Sequence, residues 1–127
     1  MLKKKNIKIY KRSEMLAELM KLNESIAVSG THGKTTTTSL ISSVLEGAKF
    51  DPTTIIGGIV NKYKSTVRVG KGKWMVTEAD ESDGSLINLF PKIAVVTNIN
   101  AEHMDFYKTY DDLQKYFLNF INNTPFD

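Results

Sequence analysis

The chain has 127 residues, of which 41% are hydrophobic and 24% charged, a composition typical of one globular domain and not of a disordered tail. It lacks a run of the roughly 18 apolar residues that a spanning helix needs and a secretory signal, so we expect a cytoplasmic protein without a membrane partner. The absence of cysteine excludes disulfides and thiolate metal sites, and the net charge of +3 is spread along the chain, which argues against a nucleic-acid partner.

The first half of the chain predicts alternating strands and helices. Residues 7–10 alternate apolar and polar residues, as a short edge strand does, and Ser13 is the expected N-cap of a helix that follows. Residues 25–29 form a short buried strand. A second helix is expected to bury one apolar face, formed by Leu40, Ile41, Val44 and Leu45.

The second half predicts more strands and a final helix. Residues 53–56 read as a strand that ends at a glycine pair, and residues 67–69 and 73–77 as a hairpin. Residues 92–97 are the best candidate for a fully buried central strand. A helix follows a capping-box pattern at Thr109 and Asp112, and its expected buried stripe is Leu113, Tyr116, Phe117, Phe120 and Ile121. The fold class is therefore α/β, a mainly parallel sheet flanked by helices.

A glycine-rich loop follows the first buried strand. Residues 29–38 read S-G-T-H-G-K-T-T-T-T, the order in which a strand ends, a loop turns and a helix begins. Gly30 and Gly33 bring backbone N–H groups close to phosphate oxygens, Lys34 adds a positive charge, and Thr35 offers a hydroxyl to a magnesium ion. The common pattern has glycine where Val28 stands, so the alternative is a Gly/Thr-rich turn that happens to contain a lysine.

Two further polar segments each follow a predicted strand. Residues 78–83 place four carboxylates within six positions, which favours a metal or substrate site over a solvated acidic loop. Residues 97–105 contain His103 among Asn98, Glu102 and Asp105, so His103 is a candidate ligand of a second magnesium or manganese ion, the alternative being a structural histidine. His32 either contacts substrate or shapes the loop. Because ligands in parallel sheets bind at the carboxyl ends of strands, we expect the three segments to converge around Mg-ATP.

These motifs resemble the Mur ligases of bacterial cell-wall synthesis over nearly the whole chain. The resemblance rests on G-T-H-G-K-T, E-A-D-E-S-D and T-N-I-N-A-E-H-M-D, on the pair Gly57-Gly58, and on residues 13–20 and 119–126. It implies the P-loop-type fold of the central ATP-binding domain and a ligase that joins L-alanine to UDP-N-acetylmuramate through an acyl phosphate. G-T-H-G-K-T alone also fits the murein peptide ligases of recycling. A non-catalytic nucleotide-binding module and a small basic nucleic-acid binder stay open as alternatives.

The resemblance also implies roles for individual residues. Lys34 would bridge the β- and γ-phosphates, Thr35 would ligate the first magnesium ion, Glu78 would serve the metals, and His103 the second metal ion. The segment that would wrap the phosphates consists of Gly30, Thr31, His32, Gly33, Lys34, Thr35 and Thr36. Asn100 stands where such enzymes usually carry an acidic residue, and Glu102 where they have aspartate, which leaves the geometry around His103 open.

A chain of 127 residues is long enough for only one of the domains of such an enzyme. We expect residues 1–127 to be a single, truncated ATP-binding central domain, with the uridine-nucleotide domain and the carboxy-terminal domain lying outside it. Such a piece is expected to be inactive by itself. It is also expected to expose apolar surface that a homo-oligomer could cover.

Overall fold

Helices and strands alternate along the chain. A computed structural model describes residues 7–60 and 65–125. The elements are α1 (Arg12–Lys21), β1 (Glu24–Ser29), α2 (Lys34–Gly47), β2 (Thr53–Val60), β3 (Ser65–Arg68), β4 (Trp74–Glu78), a 3-10 turn (Ser85–Asn88), β5 (Ile93–Val96) and α3 (Tyr110–Asn122). Within those two ranges no helix has the length and apolar character that crossing a membrane requires.

The strands form one sheet in the order β3-β2-β4-β1-β5. Strand β1 lies parallel to both β4 and β5, and β2 lies parallel to β4, so only β3 runs antiparallel to its neighbour. This arrangement confirms the predicted α/β class with a mainly parallel sheet. The carboxyl ends of β1, β2, β4 and β5 consequently lie at the same edge of the sheet, which is where parallel sheets bind ligands.

Helices cover both faces of the sheet. On one face, side chains of α1, the 3-10 turn and α3 pack on Ala27 and Met75; this cluster also contains Met20, Leu86, Leu89, Tyr107, Leu113, Phe117 and Phe120. Helix α2 packs on the opposite face against β2, β4 and β1. The prediction of α3 and its cap is confirmed, since the Thr109 hydroxyl accepts a hydrogen bond from the Asp112 N–H at the helix start. Of the predicted stripe, Leu113, Phe117 and Phe120 are buried and Tyr116 is half-buried, whereas Ile121 is 43% exposed.

The predicted buried face of α2 is wrong for two of its four residues, since Ile41 and Leu45 are half-buried but Leu40 and Val44 are not. Leu40 and Val44 are 62% and 70% exposed, whereas Thr38 and Ser42 are fully buried. Ser42 shares a hydrogen bond between hydroxyl groups with Thr54 on β2. Small hydroxyl side chains let this helix approach the sheet closely, and Ser42 and Thr54 satisfy each other's hydrogen bonds there, which apolar periodicity does not report.

Several strand predictions also need correction. Residues 7–10 form no strand, and α1 begins at Arg12 with Ser13 inside it; the Glu14 carboxylate accepts from the Lys11 N–H there. Strand β2 does not end at the glycine pair but continues to Val60. Strand β5 is not central, because it lies at the end of the described sheet and is half-exposed. The central strands are β1 and β4.

The predicted hairpin between residues 67–69 and 73–77 does not form. Strand β3 pairs with β2, and β4 lies on the other side of β2. The intervening turn is held against the segment before β2: Arg68 donates to the Asp51 carboxylate and the Pro52 carbonyl, both at 2.6 Å, and Gly72 donates to the Asp51 carbonyl at 2.9 Å. These long-range bonds fix a topology that the local sequence does not encode.

Asp51→Asn is expected to lower the melting temperature at neutral pH. The Lys71 N–H and the Arg68 guanidinium hold the pKa of Asp51 below its ordinary value of 3.8. A lowered pKa in the folded state contributes stability above pH 3.8, and that contribution disappears as the pH falls through the folded-state value. Thermal unfolding of both proteins should therefore show a difference at about pH 7 that narrows progressively as the pH falls below 3.8. The control, Asp105→Asn in an exposed loop, should not change the melting temperature at any of these pH values; a difference that stays constant down to the acid limit would contradict the expectation.

Candidate nucleotide-binding site

The glycine loop lies between β1 and α2, at the carboxyl edge of the sheet. Gly30 and Gly33 have φ values of 134° and 86°, which favour glycine. A β-carbon on Gly30 would also lie 2.0 Å from the Thr97 hydroxyl oxygen. Helix α2 begins directly at Lys34, and the first N–H groups of a helix have no partners within it. The loop therefore presents backbone donors and the positive end of a helix dipole to one point, as an anion site requires.

The segment after β5 clasps this loop. Thr97 and Asn98 donate side-chain hydrogen bonds to the His32 carbonyl at 2.7 and 2.8 Å, and the His32 N–H donates to the Asn98 side chain at 3.0 Å. The Thr31 N–H donates to the Asn98 carbonyl at 3.1 Å, and the Thr31 hydroxyl accepts from the Asn100 N–H at 2.8 Å. These bonds hold the backbone of the loop from outside.

His32 is held by the two residues that depart from the family pattern. Its Nε2 lies 3.2 Å from Glu102 Oε1, and its Nδ1 lies 3.5 Å from Asn100 Nδ2. The side chains of Asn100 and Glu102 thus face His32, whereas the sequence associated them with His103. These contacts support a loop-shaping role for His32.

Lys34 crosses the loop from the first turn of α2. Its ammonium group donates to the Gly30 carbonyl at 2.6 Å and to Glu81 Oε1 at 3.0 Å. Glu81 is only 1% exposed, and His103 Nε2 lies 3.5 Å from the same Oε1. Lys34 and His103 are therefore brought together through Glu81, which the sequence offered only as one of four neighbouring acids.

A cleft of about 300 Å³ opens beside Lys34, with Glu78 and Gly57 in its wall. Oxygen Oε1 of Glu78 is buried and has no hydrogen-bond partner among the described residues. A β-carbon on Gly57 would lie 2.7 Å from Oε2, so glycine at this position makes room for the carboxylate. The sequence placed Gly57 at a strand end and in the family resemblance, without a role in the site. Asp83 also lines the cleft, and hydrogen bonds from Ser85 lower its pKa.

These side chains fit a magnesium ion that is shared with a nucleotide. In the ranges that the structure describes, no three His, Asp or Glu side chains are grouped closely enough to hold a metal ion. Magnesium usually takes one or two protein ligands and completes its shell with phosphate oxygens and water. The orphaned oxygen of Glu78 and the Thr35 hydroxyl in the first turn of α2 match that need. His103 does not line the cleft, since its imidazole faces Glu81.

A glycine loop between a parallel strand and a helix defines the P-loop-type α/β fold class. Within this fold class the chain belongs to the Mur ligase family, since the family model for the Mur ligase middle domain matches residues 28–127. The prediction of the family is confirmed.

Curated relatives and solved structures agree with this assignment. The chain is 52% identical over 120 residues to UDP-N-acetylmuramate--L-alanine ligase of Nitrobacter winogradskyi, and 52% over 122 residues to that of Azorhizobium caulinodans. These matches cover 94% and 96% of the chain but 26% of each relative, so the chain spans about a quarter of their length. The UDP-N-acetylmuramate-alanine ligase MurC of Thermotoga maritima matches 97% of the chain and 29% of its own chain, with a TM-score of 0.86 and 28% identity.

A second solved structure shares the fold alone. The UDP-N-acetylmuramate:L-alanyl-gamma-D-glutamyl-meso-diaminopimelate ligase of Neisseria meningitides has a TM-score of 0.85 at 24% identity. The match covers 99% of this chain and 44% of that one. The central fold is thus common to Mur ligases that act on different substrates.

Proposed function

We propose that the chain is the ATP-binding portion of a ligase that joins L-alanine to UDP-N-acetylmuramate in peptidoglycan synthesis. The observation that carries the proposal is the placement of Lys34 and of the unpartnered Glu78 oxygen in one cleft beside the glycine loop. The curated relatives that are 52% identical carry the name of that activity. Residues 1–127 are proposed as a central domain that works with further domains in the cytoplasm, without a nucleic-acid or membrane partner.

In the proposed reaction ATP phosphorylates the lactyl carboxylate of the muramate, and the amine of L-alanine displaces phosphate from the acyl phosphate to form an amide. The segment from Gly30 to Thr36 would wrap the phosphates with N–H groups other than those of Thr31 and His32, which donate to Asn98. Lys34 would bridge the β- and γ-phosphates. Magnesium would neutralise charge on the transferred phosphoryl group, held by Thr35 and Glu78 on the first ion and by Glu78 and His103 on the second. Catalysis of this kind depends on positioning and charge stabilisation.

The test uses the full-length protein that contains this chain. Phosphate release from ATP should require both UDP-N-acetylmuramate and L-alanine. Release that requires the tripeptide L-alanyl-γ-D-glutamyl-meso-diaminopimelate in place of L-alanine would assign the protein to the murein peptide ligases, which share the fold. ATP binding without any acceptor-dependent release would favour a nucleotide-binding module. Binding of a nucleic acid that weakens steeply with salt and persists without Lys34 would favour the nucleic-acid binder.

His103→Gly is expected to raise the magnesium concentration needed for half-maximal activity. His103 has a φ of 57°, so glycine removes the imidazole without the backbone strain that alanine would add. Loss of a metal ligand weakens the binding of the second magnesium ion, whereas the first ion keeps its own ligands. Activity is measured against magnesium at fixed ATP, with Met104→Ala as a neighbouring control. An unchanged magnesium titration would reduce His103 to a structural residue.

The apolar residues on the surface support a proposed self-association. Leu40, Val44 and Ile93 are 62%, 70% and 42% exposed, and Ile93 lies on the outer strand of the described sheet. A second copy of the chain or the remainder of the ligase would cover them. Sedimentation of this chain as a well-behaved monomer would contradict self-association.

A further inference from the structure

Glu81 is a buried carboxylate in the loop that follows β4, and the proposed reaction does not use it. Its side chain is only 1% exposed, although a charged carboxylate loses favourable hydration when it is buried. A tight turn carries it inward, with the Asp80 carboxylate accepting from the Ser82 N–H at 2.9 Å and the Gly84 N–H donating to the Glu81 carbonyl at 3.2 Å. A charge buried in this way needs a cationic partner.

Two side chains that contact Glu81 have roles in the proposed mechanism. The Lys34 ammonium lies 3.0 Å from each carboxylate oxygen, but only Oε1 receives it in hydrogen-bonding geometry, so Oε2 has no hydrogen-bond partner among the described residues. His103 Nε2 lies 3.5 Å from Oε1. Glu81 therefore contacts both Lys34, at the start of α2, and His103, in the segment after β5.

Main-chain bonds fix Glu81 relative to His103. The Tyr107 hydroxyl donates to the Glu81 carbonyl, and burial raises the pKa of Tyr107, so this hydroxyl stays a donor at any ordinary pH. The Tyr107 N–H in turn donates to the His103 carbonyl at 3.0 Å. The three residues close a ring of contacts, and the carboxylate of Glu81 has little freedom to follow Lys34 if the lysine moves.

This arrangement leaves Lys34 one donor for a ligand. A lysine ammonium has three N–H donors, of which one goes to Gly30 and one to Glu81. Lys34 also lines the cleft in which Glu78 lies. We propose that Glu81 is a positioning residue for phosphate binding, which holds the Lys34 ammonium across the glycine loop so that its remaining donor serves the cleft. The inference rests on the proposed nucleotide-binding function.

The first test needs no nucleotide and examines the contact between Glu81 and Lys34 in this chain. Nitrogen-15 NMR of the lysine ammonium groups should give a slowly exchanging signal for Lys34, since both of its acceptors hold it. Exchange should be faster in Glu81→Gln, because a neutral amide oxygen is a weaker acceptor than a carboxylate. The signal should be lost in Glu81→Leu, which fills similar space without any acceptor. Asp105→Asn is the matched control and should leave exchange unchanged, whereas equal exchange in the wild type and Glu81→Gln would overturn the proposal.

The second test measures the affinity of the same proteins for Mg-ADP by titration. Glu81→Leu should weaken binding by about tenfold, the usual effect of losing one hydrogen bond to a charged group, and Glu81→Gln should recover part of the loss. Thermal unfolding shows whether each variant is folded. If Glu81→Leu does not fold, the affinity of Glu81→Gln for Mg-ADP decides the test. Wild-type affinity in the folded Glu81→Leu variant would overturn the positioning role. A wild-type chain that does not bind Mg-ADP would contradict the proposed function instead, and the ammonium signals would still decide whether Glu81 holds Lys34.

Discussion

Lys34→Ala is expected to lower the alanine-dependent phosphate release of the full-length ligase by about a hundredfold or more, the usual effect of removing one preorganised donor that stabilises developing charge. The ammonium of Lys34 is the positive charge that the structure holds at the glycine loop, on Gly30 and Glu81. Without it the γ-phosphoryl group would cross to the acceptor with less charge stabilisation. The measurement is the initial rate of phosphate release at saturating ATP.

The control for this prediction is Lys115→Ala, which removes a lysine whose side chain is 71% exposed on α3. This substitution removes the same charge and a side chain of the same length, at a position that is far from the glycine loop in the sequence. Its phosphate release should match the wild type. Near-normal turnover of Lys34→Ala would remove Lys34 from the phosphate site.

Gly30→Ala is expected to destabilise the chain by about 2 kcal/mol or more and to abolish detectable Mg-ADP binding. The φ of 134° is unfavourable for alanine, and the new β-carbon would lie 2.0 Å from the Thr97 hydroxyl oxygen and 3.0 Å from the Asn98 carbonyl oxygen. Relief of that overlap must push the loop away from the segment after β5 and break the clasp on His32. Denaturant unfolding and an Mg-ADP titration measure the two effects.

Gly47→Ala is the matched control for Gly30→Ala. Gly47 lies at the end of α2, and a β-carbon there would meet no atom within 4 Å. Its stability should stay level or rise by about 0.4–1 kcal/mol, because alanine has less conformational freedom to lose on folding. A Gly30→Ala protein as stable as Gly47→Ala would show that the loop does not need its observed backbone.

The features that the sequence predicts well are those with local causes. Ten consecutive residues hold the strand end, both loop glycines, Lys34 and the helix start, so the glycine loop is readable without tertiary information. Helix α3 is readable for the same reason, since Thr109 and Asp112 form its cap and Leu113, Phe117 and Phe120 repeat along one face.

The features that the sequence does not predict depend on partners far along the chain. Helix α2 buries Thr38 and Ser42 because small hydroxyl residues fit against the sheet. The helical repeat of apolar residues alone predicted that Leu40 and Val44 would be buried instead. The pairing of β3 with β2 depends on the bonds from Arg68 to the segment before β2.

The site shows the same division. Glu78, Lys34 and His103 could be proposed from motifs, and their roles remain proposals. Which acid of residues 78–83 turns inward depends on the turn at Gly84 and on the contact with Lys34, so Glu81 could not be separated from its neighbours by sequence. The closeness of Gly57 to Glu78 could not be predicted from the sequence, because it depends on the pairing of β2 with β4.

We propose that the glycine loop, Glu78 and His103 lie around one metal-bound nucleotide, and manganese can report their distances from the ion. Mn-ADP, added in small amounts to the nitrogen-15-labelled chain, broadens the amide signals of residues close to the ion. We expect strong broadening at residues 30–36, 78–81 and 103, and none at Lys73 or Lys92 at the opposite edge of the sheet. Broadening centred at that opposite edge, or equal broadening throughout the chain, would contradict it.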